Sequence, residues 1–367
     1  MKIRRVTDPA AFEALGSVWA ALSGESGQTS PFHSHDWFLR CWRAAAPDHE
    51  PETLVVEDAA GPVGLVPLVR WKGDLHGAPT RFLGLLDAPD TPFVDWLSIG
   101  PPEPVIETVM KDLARRDDWD VLALSGLPAT AATVKALESW LPGRFRWHQT
   151  GALRSPYLVV SGAWEEFWTA KSQRFKKTIR NIANRLTKAG AVTIEEHRDV
   201  RPDGPFFAEL LDVSRRSWKA PRQVAIATMP RMADFFADLT RVASARGWLR
   251  LWILRLDGRA VATEYQLEDS GRVHALRSEF DGSLPEELSP GTHLNAEIVR
   301  ALFSRAGVHE YDMGPGENEY KARWSSDAHE TVSLRIYRPG TYGAALYALE
   351  ARAFPALKRL RRQGDTA

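Results

Sequence analysis

The chain has 367 residues, of which 44% are hydrophobic, so it is long enough for about two domains with buried cores. Its 47 basic and 47 acidic residues give a formal net charge of zero, which argues against a dedicated nucleic-acid-binding protein. One cysteine, Cys41, excludes an intrachain disulfide and is typical of a reducing compartment. No apolar run approaches the ~20 residues that span a membrane, and no signal peptide is recognisable. We therefore expect a cytoplasmic globular protein.

Residues 1–152 alternate between helical and strand patterns. The spacing of apolar residues predicts helices, strands and the turns between them. In chain order, they are helices near 12–22 and 37–42, strands at 53–57, 64–70, 81–86 and 95–99, a helix at 103–116 and a strand at 120–124.

Residues 153–340 repeat this order, which suggests a duplicated unit. The predicted strands are 157–160, 192–196, 248–256, 261–267, 273–280, 308–313 and 332–337, and the predicted helices are 164–188, 206–218, 232–246 and one that follows residue 292. Residues 341–367 form a separate C-terminal basic helix ending in KRLRR. Its cations could touch an anionic membrane surface or a glycosyltransferase partner, or they could simply be solvated.

The stretch from residue 288 to 324 reads as helix, strand and a second short helix. At the start of this stretch, Pro290 fixes the backbone angle φ, and Gly291 allows another backbone segment to approach closely. Thr292 is predicted to cap the helix that follows. Free N–H groups and the helix dipole at such a start favour a phosphate. The strand breaks at GPG, residues 314–316, a sharp exit that would direct polar side chains into a common pocket.

These motifs carry a resemblance to a known family. The runs SPGTHL and YDMGPGENEYKARW resemble the CelD-type acyltransferases of the GNAT superfamily, which are associated with bacterial cellulose and exopolysaccharide synthesis and are related to the FemABX peptidyltransferases. PFHSHDWFLRCW, GPVGLVPL, FKKTIRNIANRLTKAG and RSWKAPRQVAI extend the resemblance along most of the chain. The usual pyrophosphate signature of the superfamily, Arg or Gln followed by x-x-Gly-x-Gly/Ala, is absent, and SPGTH stands in its place.

The resemblance implies an α/β (α+β) fold of two tandem GNAT-like lobes, each with a mixed, mostly antiparallel sheet flanked by helices. The lobe at 1–152 would be a degenerate support, and the lobe at 153–340 would be active. The implied reaction is transfer of an acyl group, acetyl in the simplest case, from acyl-CoA to the amine of a small molecule or a sugar. The donor site is then expected at Ser289, Gly291, Thr292, His293 and Leu294.

Transfer to an amine requires that the ammonium loses a proton, the thioester carbonyl is polarised and the leaving thiolate is protonated. Strand alternation places Glu264 and Gln266 on one face of their strand, and aligns Ala275, Arg277 and Glu279 on the next. Either carboxylate is a candidate general base, and Arg277 is a candidate substrate ligand. The alternative for each carboxylate is a structural pair with an arginine.

A second candidate cluster surrounds the glycine turn. It contains Asp312, in an otherwise apolar strand, and the following Tyr320, Lys321 and Arg323. The resemblance implies that the Tyr-Lys pair is functional: Tyr320 would protonate the leaving sulfur, and Lys321 would hold a phosphate or carboxylate. The alternative is packing between domains.

Two further groups are candidate substrate ligands. Trp218 and Lys219 could form a wall of the acceptor pocket, or a core tryptophan beside a surface lysine. Lys177 and Arg180 belong to a helix that has no acidic residue between Glu166 and Glu195. Such a single-sign helix could bind an anionic ligand, or could be exposed and paired with acids elsewhere.

Other chemistries find little support in the sequence. His33, His35 and Asp36 are close in sequence, but no HExxH or CxxC spacing accompanies them, so we expect no metal. GxSxG, GxGxxG and Walker motifs are absent. Two alternatives to an acyl-CoA enzyme remain open: a FemABX-like aminoacyltransferase that uses aminoacyl-tRNA, and a non-catalytic GNAT-fold protein in polysaccharide assembly.

Overall fold

The computed structural model describes residues 1–354, and helices alternate with strands throughout them. From the N-terminus to residue 159, the elements are β1 (Lys2–Val6), α1 (Pro9–Glu13), α2 (Gly16–Ser26), α3 (His35–Ala44), β2 (Glu50–Glu57), β3 (Pro62–Leu75), β4 (Ala78–Leu85), β5 (Leu97–Ser98), α4 (Glu103–Arg115), β6 (Val121–Pro128), α5 (Ala132–Trp140) and β7 (Arg146–Val159).

The remaining elements follow in chain order. They are α6 (Trp164–Ala170), α7 (Gln173–Ala189), β8 (Val192–His197), α8 (Pro205–Arg216), α9 (Met232–Ala245), β9 (Leu249–Leu256), β10 (Arg259–Asp269), β11 (Arg272–Phe280), α10 (Pro290–Phe303), β12 (Glu310–Asp312), α11 (Glu319–Ala322), β13 (Ala328–Tyr337) and α12 (Thr341–Ala348).

The chain divides into two compact units, one formed by residues 1–153 and the segment from residue 330 onward, the other by residues 154–329. In the first unit the sheet has the strand order β1-β2-β3-β4-β6-β13, with β5 beside β3. The prediction assigned residues 330–340 to the second lobe, whereas Thr331–Tyr337 of β13 pairs with β6 in the first unit. An apolar strand pattern does not specify which sheet the strand joins.

The second unit has the strand order β7-β12-β11-β10-β9-β8, in which the later part of β7 forms one edge. Its pairs are antiparallel except β11 with β12, which are parallel and pair only over three residues, Arg272–His274 with Glu310–Asp312. Beyond His274, β11 continues to Phe280 while the chain of β12 turns away at Gly314. A side chain at Gly314 would collide with the carbonyl of Ala275, and its φ of 78° also favours glycine. The two strands therefore part, and a split opens between them.

A β-bulge changes the faces of β11. Tyr265 pairs with Arg277 and Gln266 pairs with Ala275, so that Leu276 is an extra residue on β11. The alternation is thereby shifted, and Ala275 lies on the face opposite to Arg277. The prediction that Ala275, Arg277 and Glu279 share a face is wrong for Ala275, because strict alternation cannot anticipate a bulge.

Helix α7 closes one face of this sheet. Its first turn is capped by Ser172, whose hydroxyl accepts a hydrogen bond from the backbone N–H of Phe175 at 3.2 Å. Phe175 and Ile179 pack in the same hydrophobic core as Leu294 of α10. The cations of α7 are consequently directed away from the core.

The C-terminal segment is described only in part. Helix α12 is followed by a π-helical turn at Leu349–Ala353, and the basic KRLRR run lies outside the described residues. Within residues 1–354, no helix is both long and apolar enough to cross a membrane.

The first unit contains a buried carboxylate, Glu52, whose contribution to stability can be measured. Glu52 is fully buried, and it pairs with Arg5 at 2.6 Å and with Arg116 at 2.7 Å. We expect Glu52→Ala to reduce the free energy of unfolding by about 3–5 kcal/mol, because it removes the buried carboxylate between Arg5 and Arg116 and leaves the mostly buried Arg116 with Asp118 alone. Urea denaturation measures this. Glu107→Ala, which removes an exposed pair with Lys111, should leave the midpoint unchanged. Equal effects of the two substitutions would contradict the prediction.

Candidate active site

Glu264 lies at the centre of a polar cluster in the second unit. It is only 2% exposed, yet its carboxylate accepts three hydrogen bonds. Oε1 accepts from the Tyr311 hydroxyl at 2.5 Å and from Gln266 Nε2 at 3.0 Å, and Oε2 accepts from Ser278 Oγ at 3.0 Å. Trp252 Nε1 donates to the Gln266 carbonyl oxygen at 3.2 Å, which fixes the amide orientation. The buried carboxylate is thus surrounded by neutral donors.

The hydrogen bonds continue from Tyr311 to Tyr320. Asn295 Nδ2 donates to the Tyr311 hydroxyl at 2.8 Å, and the Tyr320 hydroxyl donates to Asn295 Oδ1 at 2.5 Å. An ionised Glu264 can only accept, so every proton in this chain is directed toward it. Burial, and then the charge of Glu264, raises the pKa of Tyr311 well above its ordinary value; burial likewise raises the pKa of Tyr320. Both phenols are therefore protonated at neutral pH.

Ser278 connects this cluster to the surface. Ser278 is an exposed residue, and its backbone carbonyl accepts a hydrogen bond from Lys219 Nζ at 2.7 Å. Trp218 is 44% exposed, which excludes the core-tryptophan interpretation, and the Arg222 guanidinium lies 4.9 Å from its ring centre. The predicted pair Trp218 and Lys219 therefore lies beside Ser278. Arg216 at the end of α8, paired with the buried Asp281 after β11, fixes this position.

Lys321 closes the glycine turn. Its ammonium donates to the carbonyl oxygens of Gly314, Pro315 and Gly316 at 2.8, 3.1 and 3.0 Å. An ammonium has three N–H groups, so all of them are occupied in this structure. Burial lowers the pKa of Lys321. The predicted role of Lys321 as a ligand for a phosphate or carboxylate does not agree with this geometry, in which the side chain stabilises the loop.

Asp312 and Arg323 also have structural contacts: Asp312 binds the backbone, and Arg323 forms a surface ion pair. Asp312 is 3% exposed; Oδ1 accepts from the N–H of Gly314 at 2.8 Å, and Oδ2 lies 3.4 Å from His274 Nδ1. It therefore fixes the point at which β12 ends. Arg323 is exposed and pairs with Glu319 on α11 at 2.5 Å, so it does not join the cluster around Glu264.

Glu279 lies on the opposite face of the sheet from Glu264. Its Oε1 is 3.2 Å from Arg277 Nε and 3.4 Å from the N–H of Ile226, and Arg277 also donates to the carbonyl of Val224. The structure therefore does not bring the two predicted carboxylates together. Glu279 and Arg277 instead attach the segment between α8 and α9 to β11.

Helix α10 begins differently from the prediction. Ser289 is the N-cap residue, with a left-handed φ of 41°, and Pro290 is the first helical residue. Thr292 lies inside the first turn and so does not cap the helix; its N–H and that of His293 both donate to the carbonyl of Ser289, at 3.0 and 3.2 Å. Since Pro290 has no N–H, the N–H of Gly291 is the first one available to a ligand.

The other predicted donor residues are less accessible. Gly291 packs against Phe280, because a Cβ at position 291 would lie 3.0 Å from Phe280 Cδ1. His293 is buried, which lowers its pKa, and Leu294 belongs to the hydrophobic core. The side chain of Leu294 consequently cannot contact a donor at the surface.

The cations of α7 remain candidates for anion binding. Lys177 and Arg180 are exposed, and neither forms an ion pair with a carboxylate among the described residues. Arg185 donates to the carbonyl of Glu287 at 3.3 Å, in the turn directly before α10. The basic helix therefore reaches the start of α10.

Within residues 1–354, no group of three or more His, Cys, Asp or Glu side chains is arranged to hold a metal ion. The sequence neighbours that suggested one have other partners. His35 Nε2 lies 3.0 Å from the carbonyl of Phe12, and Asp36 pairs with Arg40 at 3.2 Å.

Sequence reasoning did not identify three members of the cluster, Ser278, Asn295 and Tyr311. Asn295 carried a detectable signal, because it is a polar residue between the apolar positions Leu294 and Ile298 on the buried side of a helix. Tyr311 and Ser278 carried none, since a tyrosine and a serine are ordinary on a strand.

One protein-family model matches part of the chain. Residues 173–322 match the family described as acetyltransferase (GNAT) domain. No curated protein matches the chain. The matched region contains β8 to β12 with α7, α10 and α11, so it includes the whole cluster around Glu264.

Solved structures share the fold at low sequence identity. FemX has a TM-score of 0.55 with 10% identity, covering 95% of this chain and 100% of that one. The C-terminal domain of a putative lysylphosphatidylglycerol synthetase from Agrobacterium fabrum has a TM-score of 0.54 with 15% identity, covering 92% and 96%. A tandem GNAT protein from the clavulanic acid biosynthesis pathway has a TM-score of 0.52 with 12% identity, covering 93% and 99%.

The predicted fold class, an α/β fold with tandem GNAT-like lobes, is confirmed by these similarities. The match of residues 173–322 to a GNAT acetyltransferase domain confirms the prediction that the protein is an acyltransferase. The structures themselves, at these identities, show the fold alone.

The hydrogen-bonded cluster generates a second test. We expect Tyr311→Phe to reduce the free energy of unfolding by about 1–3 kcal/mol, because Asn295 Nδ2 loses its acceptor and Glu264 loses a donor in the interior. Chemical denaturation measures this. Tyr157→Phe is the control, since the Tyr157 hydroxyl makes no hydrogen bond among the described residues. An unchanged stability of Tyr311→Phe would contradict the cluster as described.

Proposed function

We propose that this acyltransferase moves an acyl group, acetyl in the simplest case, from acyl-CoA to the amine of a small-molecule or sugar acceptor. The observation that carries the proposal is the split between β11 and β12, which opens beside the chain of hydrogen bonds from Tyr320 through Asn295 and Tyr311 to Glu264. A carboxylate and a phenol at one cleft are the base and acid that amide formation requires.

The donor would lie along β11 and the start of α10. Beyond His274 the edge of β11 that faces β12 has no strand partner within residues 1–354, and its peptide groups can bond to the amides of an extended ligand such as the arm of CoA. Phe280 ends this strand against Gly291, so the arm would lead to the N–H of Gly291 and the dipole of α10, which favour phosphate. Arg185 adds a cation beside the same turn.

The acceptor amine would approach from the rim formed by Trp218 and Lys219. Glu264 is the final acceptor of the ammonium proton, the neutral amine attacks the thioester carbon, a C–N bond forms and the C–S bond breaks. Tyr320 supplies a proton to the thiolate after its hydroxyl turns from Asn295, and the second proton that the nitrogen loses as the amide forms restores the Tyr320 hydroxyl. Lys321 holds the glycine turn that separates the two strands, so its role is positional.

The sequence resemblance supports a finer proposal. CelD-type motifs favour an amine acceptor in polysaccharide assembly and a reaction in the cytoplasm, where acyl-CoA is available. The unpaired cations of α7, Lys177 and Arg180, favour a second candidate, a FemABX-like transfer from aminoacyl-tRNA, whose phosphates need such a surface.

A thiol-release assay tests the proposal. Acetyl-CoA and longer acyl-CoAs are incubated with amino sugars, amino acids and polyamines, and products are identified by intact mass. We expect amine-dependent thiol release and calorimetric binding of CoA. Absence of both would overturn the acyl-CoA function, and the same panel with aminoacyl-tRNA as donor would then test the second candidate.

Replacement of the buried carboxylate should affect chemistry rather than binding. We expect Glu264→Gln to lower kcat by about 10²- to 10⁴-fold while CoA affinity changes little, because general-base catalysis contributes on that scale. Glu279→Gln is the matched control, since Glu279 lies on the other face of the sheet. A larger loss of kcat in Glu279→Gln than in Glu264→Gln would assign the base to Glu279.

The basic helix should affect donor binding. Replacing Lys176, Lys177 and Arg180 together with Gln should weaken acyl-CoA binding by about tenfold at low salt and by less at high salt, because exposed charges are screened. The melting temperature should change little. The control replaces Lys111 and Arg115 on α4. Unchanged affinity over a salt titration would exclude an anion-binding role for α7.

A further inference from the structure

Glu264 is too deeply buried to meet a substrate amine directly. Of its three hydrogen-bond donors, Tyr311 and Gln266 are fully buried, and both occupy Oε1. The third donor, Ser278, belongs to an exposed residue and occupies Oε2. The cluster therefore meets the surface through one hydroxyl group.

From this arrangement we propose that Ser278 is a proton relay, whose hydroxyl accepts a proton from the acceptor ammonium and passes its own proton to Glu264 Oε2. The inference rests on the proposed acyl transfer to an amine and adds a residue that contacts the substrate.

The hydrogen-bond inventory of a hydroxyl suits this role. Its single proton is directed at Glu264, so its lone pairs are left to accept from an ammonium N–H. In the transfer one N–H bond breaks as an O–H bond forms on Ser278, and the former hydroxyl proton bonds to Oε2. Serine is unchanged, the amine becomes neutral, and Glu264 becomes a neutral acid that still accepts from Tyr311 on Oε1. After product leaves, the reverse path returns the proton to solvent.

The surrounding charges favour transfer of a proton from the acceptor ammonium toward Glu264. Lys219 Nζ lies 2.7 Å from the Ser278 carbonyl oxygen, and Lys321 is held in the glycine turn near Glu264. Two ammonium groups disfavour a third positive charge on the acceptor. The carboxylate of Asp312 opposes this effect, but it is engaged by Gly314 and His274. Tyr311 and Tyr320, the other titratable groups, stay protonated.

The fold positions Ser278 specifically for this contact. Glu264 and Ser278 are direct cross-strand partners. Without the extra residue Leu276, position 278 would be displaced along the ladder and the alternation of β11 would change. Bulges commonly redirect side chains next to active sites.

The test uses an isosteric pair at this position. Ser278→Thr keeps the hydroxyl, and Ser278→Val replaces it by a methyl group of the same shape; both are β-branched and suit a strand. Acetyl-CoA is the donor, and the acceptors are methylamine, which is protonated at pH 7, and methoxyamine, which is neutral. Calorimetric CoA binding and circular dichroism verify that both variants are folded.

We expect Ser278→Val to lower kcat/KM for methylamine by about 10²-fold at pH 7, and Ser278→Thr to retain most of it. For methoxyamine, which is already neutral at pH 7, the kcat/KM values of the two variants should agree within threefold. The methylamine defect should shrink as the pH rises toward 10. Adding Ser278→Val to Glu264→Gln should slow methylamine transfer no further, because the two residues act as a unit.

Three results would overturn the relay: equal activity of the Val and Thr variants with methylamine, equal loss with both amines, or a loss that does not depend on pH. Each of these results would still be compatible with the proposed acyl transfer. A wild-type protein that releases no thiol with either amine or with the wider panel would instead reject the proposed function, and the relay with it.

Discussion

The burial of the Glu264 carboxylate is the constraint on which the second unit depends. A buried charge destabilises the fold unless hydrogen bonds replace its hydration, so the protein must bring donors to it from several elements. Tyr311 comes from β12, Ser278 from β11 and Gln266 from β10 itself. Tyr311 in turn requires Asn295, which attaches α10 to the sheet. One desolvated group thereby fixes the relative positions of three strands and a helix.

The split between β11 and β12 has its own supports, and they are polar as well. Asp312 binds the first N–H beyond the strand, and Lys321 gathers three successive carbonyl groups of the turn. Gly314 is required because a Cβ would strike the neighbouring strand. The cleft is thus held open by interactions that contact no ligand. Residues such as Lys321 resemble catalytic residues in a sequence, although their contacts are made to the backbone.

Much of the fold could be predicted from periodicity, whereas the site could not. Strands β9 to β11 have clear apolar patterns, and their positions agree with the prediction within a few residues. The single helix predicted at 164–188 is instead divided into α6 and α7, because the chain is extended at Lys171 and Ser172. Strand β1 and the first part of β7 were missed because their residues are largely exposed and show no alternation. Faces were misassigned where Leu276 forms a bulge, and the helix cap was misplaced because Ser289 adopts a left-handed conformation. The partners of Glu264 come from distant segments, which one sequence cannot bring together.

The two buried carboxylates on opposite faces of the sheet have an evolutionary consequence. Glu279 and Arg277 hold Val224 and Ile226 from one side, while the hydrogen-bonded cluster around Glu264 is assembled on the other. Under the proposed function, substitutions from Ala220 to Ile226, beyond the Lys219 that lies beside Ser278, can therefore alter which acceptor is admitted without disturbing proton transfer. Under that function, divergence of acceptor specificity needs changes in a single short peptide, so paralogues with new acceptors can arise while the cluster around Glu264 is inherited intact.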